Sequence, residues 1–249
     1  MNPIWIGSPI DIKTGDQALQ QLQLINDTKY SNNGEITQVT QERWQQAQQY
    51  EHDTWMKHGH HFTQDRNQEH AQHYNNYKDL PQDLGNLLEI GCGPFTQTIT
   101  ILSNNHTAQT ITLLDPLIQH YTNHPNCTYH KLTPKPTLLP IPAEQLPPTP
   151  QYNTIILINV LEHVQNATQV LQNTYNALTP NGILILADRN YTTDPTKIYD
   201  IGHPIKININ TLTNYTKQYT NTIYHKQCQY YSPEINEHLG KNHYLILQK

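Results

Sequence analysis

The stretch Leu87-Leu88-Glu89-Ile90-Gly91-Cys92-Gly93-Pro94-Phe95 decides how the rest of the chain is interpreted. It is an apolar run that carries one acid and then breaks into two closely spaced glycines. This pattern predicts a buried strand that leads into a tight turn. Glycine lacks a Cβ, so Gly91 and Gly93 can adopt positive φ and let backbone N–H groups approach a ligand closely. We therefore expect a ligand to bind at this turn.

The composition narrows the class of protein. The chain has 249 residues, and its 15 Lys and Arg against 20 Asp and Glu give a formal net charge of −5. It lacks the basic excess of a protein that neutralises many phosphates, so we expect no nucleic-acid partner. No apolar run approaches the roughly 20 residues that span a bilayer, and no leader pattern opens the sequence. We expect a soluble, unexported, cytoplasmic protein with no membrane span, whose oligomeric state the sequence leaves open.

The cysteines and histidines indicate neither a disulfide nor a metal site. The three cysteines, Cys92, Cys127 and Cys228, are odd in number and widely separated, which argues against a disulfide framework and a zinc ligand set. We interpret the histidines around Gly59 (residues 58–61) as a solvated loop. Asp188 with Asn190 offers too few oxygen ligands for a metal-assisted site. The sequence therefore predicts a reducing compartment and no metal.

Two parts of the chain differ in periodicity. Residues 1–80 are polar with helical spacing, and we expect an N-terminal helical lid on the substrate side there. Its helices are predicted at 16–26, after a Thr40 cap, and at 63–77. Residues 81–249 are predicted to form the second domain.

From Asn86 onward strands alternate with helices, as in a parallel sheet covered on both faces. The strands are predicted at 87–90, 110–114, 126–130, 154–159 and 182–187, and the helices at 96–103, 117–122, 166–178 and 210–219. Two further strand-like runs, 220–230 and 243–248, are joined by only a dozen residues. That is too few for a helical crossover, so we predict an antiparallel pair. The fold class is α/β, with a doubly wound sheet.

Asp115 ends the strand-like run 110–114, twenty-two residues after Gly93. In doubly wound sheets, an acid at the tip of the second strand lies beside the ribose of a nucleotide held on the first turn. Its two oxygens can accept from both ribose hydroxyls. We therefore predict a ribose-binding role for Asp115.

An ordered set of motifs resembles the class I S-adenosylmethionine-dependent methyltransferases. The set covers about residues 86–190 and consists of Glu89-x-Gly91-x-Gly93, Asp115, Ala143-Glu144-x-Leu146-Pro147, Asn159-Val160-Leu161-Glu162-His163-Val164 and Leu178-x-Pro180-x-Gly182. The resemblance implies a Rossmann-like, seven-stranded sheet whose last strand is antiparallel and inserted beside its predecessor. It also implies S-adenosyl-L-methionine as the cofactor.

The resemblance further implies roles for individual residues. Glu89, Gly91 and Gly93 would surround the methionine portion of the cofactor, and Asp115 would hold the ribose. Ala143 and Glu144 would border the adenine, with Asn159 and Leu161 beneath the methyl donor. Arg66, from the lid, is a candidate partner for the methionine carboxylate.

Two positions depart from the family pattern. Phe95 stands where the family has a third glycine, and Pro142 stands where an acid often precedes the Ala-Glu pair. We interpret Phe95 as core packing in preference to a contact with adenosine or substrate. The adenine amino group would need another acceptor, such as Glu144 or a backbone carbonyl. Because the ribose acid and the first two glycines remain, we expect cofactor binding to survive.

Three residues are candidate general bases: His163 after the fourth predicted strand, Asp188 after the fifth, and His203 in a Gly-His-Pro turn. All lie at or beyond the carboxyl ends of strands, where ligands bind in this architecture. A sulfonium is already an activated leaving group, so a base is needed only when the acceptor holds its proton tightly, as an aliphatic hydroxyl does.

We therefore predict O-methylation of a small molecule or glycan hydroxyl. N-methylation of an amine or peptide is the nearest alternative. An NAD-dependent oxidoreductase shares the glycine turn and the strand-end acid but does not explain residues 159–163. A non-catalytic partner that retains the fold is the third alternative.

Overall fold

A computed structural model describes residues 4–5, 31–32, 35–58, 65–192, 198–199, 201–232 and 237–249. The helix predicted at 16–26 and most of the histidine-rich segment around Gly59 lie outside these ranges. Within them, no helix is both long enough and apolar enough to cross a bilayer.

Seven strands form one mixed sheet. They are β1 (Asn86–Ile90), β2 (Thr110–Leu114), β3 (Thr137–Leu139), β4 (Tyr152–Ile158), β5 (Leu178–Tyr191), β6 (Asn221–Ser232) and β7 (Glu237–Gln248). Their order across the sheet is β6-β7-β5-β4-β1-β2-β3. Strands β1 to β5 pair in parallel, whereas β7 is antiparallel to both β5 and β6. This confirms the predicted seven-stranded topology with the last strand inserted beside its predecessor.

Within the described residues, six α-helices accompany the sheet: α1 (Gln41–Asp53), α2 (Asp65–His73), α3 (Gln97–Leu102), α4 (Ile118–Tyr121), α5 (Ala167–Ala177) and α6 (Ile209–Thr216). Side-chain caps fix several of their starts. The predicted Thr40 cap of α1 accepts a hydrogen bond from the Arg43 N–H at 3.1 Å, and Asn166 caps α5 through the Gln169 N–H. A π-helical turn, Thr54–His58, extends α1 toward the sheet.

The apolar residues of neighbouring strand positions pack on opposite faces of the sheet. Leu88 belongs to the buried cluster that includes Val170 of α5 and Leu212 of α6. Leu87 belongs to the cluster that includes Ile101 of α3 and Ile118 of α4. The sheet is thus covered on both faces, as the alternating pattern predicts.

One predicted strand is wrong. Residues 126–130 form an irregular segment that runs into a 3₁₀ turn at Tyr129–Lys131, and the third strand is Thr137–Leu139. Pro136 and Pro140 bracket this strand, and because proline offers no N–H to a ladder, the strand is only three residues long. It lies at the edge of the sheet, where flanking prolines are tolerated.

The N-terminal part is not purely helical. Short strands at Ser31–Asn32 and Glu35–Ile36 pair antiparallel, and Ile4–Trp5 pairs in parallel with Ile198–Tyr199. The division of the chain at residue 80 stays a prediction.

Candidate functional site

The two glycines of the turn after β1 have positive φ, +64° at Gly91 and +51° at Gly93, but they face different surroundings. A Cβ on Gly91 would lie 2.5 Å from the Cγ2 of Val160, which follows β4. A Cβ on Gly93 would have no atom within 4 Å. Gly91 therefore allows close packing of two strand ends, and Gly93 leaves an open space above the turn.

Asp115 lies directly after β2 and is buried beside this turn. Its Oδ2 accepts from the Gly93 N–H at 3.2 Å and its Oδ1 from the Leu117 N–H at 2.8 Å. Burial raises the pKa of this carboxyl to about 6, against the lowering effect of the two N–H bonds. Each oxygen keeps a lone pair for a further donor.

Glu89, in β1, is buried and holds the start of α3. It accepts from the Gln97 N–H at 2.7 Å, from the Thr98 N–H at 3.0 Å and from both the Thr96 and Thr98 hydroxyls. Burial raises the pKa of Glu89 although these bonds act to lower it. The carboxylate therefore fixes the helix that follows the glycine turn.

A cavity of about 440 Å³ opens beside the turn. This is within the range of roughly 300–1,000 Å³ that is usual for small-molecule sites. Ten of the twelve residues predicted for the site line it: Arg66, Glu89, Gly91, Gly93, Asp115, Ala143, Glu144, Asn159, His163 and His203.

The other two, Leu161 and Asp188, lie behind the cavity wall and are buried. The Asp188 carboxylate accepts from the Leu161 N–H at 2.8 Å and from the Arg189 N–H at 2.9 Å. Burial raises its pKa to about 7, with a further contribution from the nearby Glu162 charge. Its position argues against direct proton transfer from a bound molecule and assigns it to fixing the loop after β4.

Glu144, predicted to border the adenine, also has a structural task. Its Oε1 accepts from the N–H groups of Gln165 and Asn166, at 2.7 and 2.9 Å, at the start of α5. Ala143 beside it is buried, and Pro142 also lines the cavity.

Arg189 lines the cavity, although sequence reasoning did not single it out. Its Nε lies 2.6 Å from an oxygen of the buried Glu162, and its Nη2 donates to Asn159 Oδ1 at 3.3 Å. Burial acts to lower the pKa of Arg189, but the nearby acidic groups, Glu162 foremost, together outweigh it and raise the pKa. Tyr191 donates its hydroxyl to Glu162 and Tyr230 stacks under the guanidinium. The only sequence signal was the position of Arg189 beside a strand-end acid.

His163 and His203 meet at another part of the same cavity, with ring centroids 4.4 Å apart. His163 Nδ1 lies 3.1 Å from the Gly202 carbonyl oxygen and 3.5 Å from Oε1 of Glu51. Glu51, in α1, was not predicted. It comes from a polar helix whose pattern gives no sign of a buried partner.

Aromatic side chains cover the cavity on the helical side. The Phe95 ring packs edge-on against Trp55 at 5.7 Å and against His124 at 5.4 Å. It is buried, in agreement with the core-packing interpretation, yet it also lines the cavity. The Arg66 guanidinium lies 5.7 Å from the Trp55 ring centroid.

Cys92, in the turn itself, is buried, and burial raises its pKa well above the usual value. A thiol in that state is a poor nucleophile, which agrees with its interpretation as a small buried residue.

The family model described as a methyltransferase domain matches residues 60–242. Among curated proteins, a ubiquinone biosynthesis O-methyltransferase of Rickettsia bellii is 29% identical over 123 residues, 48% of this chain and 46% of that protein. The match thus spans less than half of the length of that relative.

Among solved structures, the N-methyltransferase NodS from Bradyrhizobium japonicum, in complex with S-adenosyl-L-homocysteine, superposes with a TM-score of 0.53. It is 15% identical, with 74% of this chain and 86% of that chain covered. The 1,6-didemethyltoxoflavin-N1-methyltransferase of Burkholderia thailandensis gives a TM-score of 0.57 at 11% identity, with 85% and 91% covered. At these identities the likeness concerns the fold.

Proposed function

Because the chain belongs to the methyltransferase domain family, the class I S-adenosylmethionine-dependent methyltransferases, we propose that it methylates a hydroxyl of a small molecule or glycan. The observation that carries the proposal is the joint lining of one cavity. The glycine turn and Asp115 lie on its wall together with a cluster of two histidines and one carboxylate. The first group suits a nucleoside, and the second suits an acceptor that must lose a proton.

The described residues fit the family's cofactor. The space beyond Gly93 is open, so backbone can approach a ligand there. Both Asp115 oxygens are oriented by N–H bonds at the cavity wall, which leaves lone pairs for the two ribose hydroxyls. When bound, S-adenosyl-L-methionine supplies a methyl group on an activated sulfonium.

We assign the remaining cofactor roles according to the walls of the cavity. Gly91 and Gly93 would meet the methionine portion, and Arg66 would reach its carboxylate. Ala143 and Glu144 would border the adenine, and Asn159 would lie near the methyl donor. Glu89 and Leu161 would act indirectly, Glu89 by fixing the start of α3 and Leu161 by its N–H bond to Asp188.

The acceptor would bind toward His163 and His203. Hydroxyls of sugars and aliphatic alcohols hold their protons tightly, so a group that lowers this cost is needed beside them. Asp188, buried behind the wall, is the weakest of the three predicted bases, and the two histidines are the strongest. Cys92, Cys127 and Cys228 are all free thiols, which supports a reducing cytoplasm as the location.

Calorimetry with S-adenosyl-L-methionine and S-adenosyl-L-homocysteine tests the cofactor half of the proposal. We expect both to bind, and Asp115→Ala to weaken binding by roughly tenfold or more, since it removes acceptors of two charge-assisted hydrogen bonds. Asp79→Ala, at an exposed aspartate, is the matched control. Unchanged affinity in Asp115→Ala would contradict the assignment of the ribose site.

A homocysteine-release screen tests the acceptor half. It compares sugars and phenols with amines and peptides of similar size. We expect turnover on hydroxyl acceptors. Turnover on amines alone would replace the proposal with N-methylation, and cofactor binding without turnover on any acceptor would support a non-catalytic partner.

A further inference from the structure

Glu51, His163 and His203 come from three separate segments: helix α1, the loop after β4 and the loop before α6. They meet at one edge of the cavity. Each offers one ligand atom, and the three atoms lie within 4.8 Å of one another. We propose that these side chains bind one divalent transition-metal ion of the zinc type, with an open coordination position toward the cavity. This inference rests on the proposed function for the role of the ion, though not for its binding.

The donor set suits this class of ion. Two imidazoles and one glutamate form one of the three-ligand sets that hold catalytic zinc, with the fourth position left to water or substrate. Imidazole ligands favour zinc and its neighbours over magnesium or calcium, which prefer oxygen ligands throughout. All three residues line the cavity, so we expect the open position to face the bound acceptor.

The distances are compatible with one ion. His163 Nδ1 and Glu51 Oε1 are 3.5 Å apart, and metal binding through Nδ1 would replace its hydrogen bond to the Gly202 carbonyl oxygen, 3.1 Å away. Two ligands of one tetrahedral zinc ion lie about 3.4 Å apart when each bond is about 2.1 Å. The longest separation in the cluster, within 4.8 Å, closes to this value with a modest rotation of a half-buried side chain.

Neighbouring contacts hold the ligands in place. Trp55 Nε1 donates to Glu51 Oε2 at 3.1 Å, which leaves Oε1 on the side of the imidazoles. The carbonyl of His163 accepts from Trp44 Nε1 and Gln48 Nε2, so its backbone is tied to α1. Such outer contacts commonly orient metal ligands.

A glycine permits the third segment to approach. A Cβ on Gly202 would lie 3.0 Å from Glu51 Oε1 and 2.9 Å from the Tyr50 ring. Its neighbour His203 is brought to the cluster by this close approach.

An ion pair is the competing explanation of the cluster. A protonated His163 would pair with Glu51, but the second imidazole, 4.4 Å away between centroids, would then adjoin a cation. A metal ion uses both rings in their neutral form and balances the carboxylate charge. In the proposed reaction, the ion would lower the pKa of a coordinated acceptor hydroxyl. The O–H bond would break with its electron pair left on oxygen, and the proton would pass to bulk water, because both histidines would then serve as ligands and not as bases. That electron pair would form the new bond to the methyl carbon, and the carbon–sulfur bond would break with its pair left on S-adenosyl-L-homocysteine.

Cobalt(II) titration of the full, metal-free chain tests the site, with visible absorption and calorimetry as readouts. We expect one tight equivalent with the absorption of a low-coordinate cobalt site. Glu51→Gln, which keeps an acceptor for Trp55, and His203→Gln should each weaken this binding by roughly 100-fold, since they remove a ligand. His225→Gln, at an exposed histidine on β6, is the matched control and should bind cobalt as the wild type does.

The chain has 15 histidines, so nonspecific binding is the competing explanation. Equal cobalt affinity in the wild type and Glu51→Gln, or no stoichiometric binding by protein that still binds S-adenosyl-L-homocysteine, would overturn the inference and leave an ion pair. A cobalt site intact in protein that binds no S-adenosyl-L-homocysteine would support the inference and contradict the proposed function instead. Calorimetry with S-adenosyl-L-homocysteine on each variant also checks that it is folded.

Discussion

Gly91 and Gly93 stand two residues apart in one turn, and the structure requires them for different reasons. Both have positive φ, so alanine at either position costs about 1–2 kcal/mol in backbone strain. At Gly91 the new Cβ would also lie 2.5 Å from Val160 Cγ2 and 2.9 Å from its Cγ1. Overpacking of this kind costs about 1–3 kcal/mol. We therefore expect Gly91→Ala to lower the free energy of unfolding by about 2–5 kcal/mol, and Gly93→Ala by about 1–2 kcal/mol.

We expect Gly93→Ala to weaken ligand binding more than Gly91→Ala does, relative to the stability that each variant loses. The Cβ of Gly93→Ala has no atom within 4 Å, so it stands in the space that we assign to the cofactor. A clash worth about 1–3 kcal/mol there corresponds to roughly 5- to 150-fold weaker binding of S-adenosyl-L-homocysteine. Urea unfolding measures the first quantity, and calorimetry on the folded variants measures the second.

A double-mutant cycle separates strain from overpacking at Gly91. Val160→Ala removes both methyl groups that the new Cβ would meet and leaves only the Val160 Cβ, at 3.3 Å, so the cost of Gly91→Ala in that background should fall close to that of the backbone strain. An equal cost of Gly91→Ala with valine and with alanine at position 160 would contradict overpacking against Val160. Wild-type affinity of Gly93→Ala for S-adenosyl-L-homocysteine would contradict the placement of the cofactor beside Gly93.

Three further predictions concern buried acids. The pKa of Asp115 is raised to about 6 by burial, and only the ionised carboxylate accepts from both ribose hydroxyls. Affinity for S-adenosyl-L-homocysteine should therefore fall by up to about tenfold per pH unit below 6. Calorimetry across pH should show this loss, and Asp115→Asn should flatten the profile. Glu89→Ala leaves the buried donors at the start of α3 without their acceptor and should cost about 2–4 kcal/mol in urea unfolding. Thr98→Val, which removes one of those donors, should cost about 1 kcal/mol, and equal losses would count against the capping role. Glu162→Gln leaves the half-buried Arg189 guanidinium without its carboxylate partner and should cost about 3–5 kcal/mol, whereas Tyr191→Phe, which removes a single hydrogen bond to the same carboxylate, should cost about 1 kcal/mol by thermal or urea unfolding.

The parts of the fold that sequence reasoning predicted are those whose signals are local. Residues 110–114 form a run of β-branched and apolar residues that ends at Asp115-Pro116, and the strand found there has the same bounds. Asp115 follows from the same logic, because the carboxyl ends of parallel strands share one edge. The third strand lacks such a local signal, and it was predicted at the wrong residues. Its three residues lie between prolines that normally argue against a strand, and only the neighbouring β2 completes its ladder.

Side-chain direction at a strand end was harder to predict. Asp188 and Arg189 are adjacent in β5, and successive side chains of a strand point to opposite faces. Both faces of this sheet are covered, so the alternation of apolar and polar residues does not say which neighbour meets the cavity. The carboxylate turned inward to two backbone N–H groups, and the guanidinium lines the wall. The side chain that lines the cavity is therefore that of Arg189, one position after the predicted base Asp188.

Glu51 could not be predicted from the sequence for a different reason. It is 112 residues from His163 along the chain, and it lies in a helix that is mostly polar. Its approach to the histidines depends on where α1 rests against the loop after β4, through bonds from Trp44 and Gln48 to a single carbonyl. Residue types in α1 alone cannot encode that placement, since the partner carbonyl has no side-chain signature. A group such as Glu51, supplied by a helix that precedes the sheet, is therefore recognised only once that helix is packed against the loop after β4.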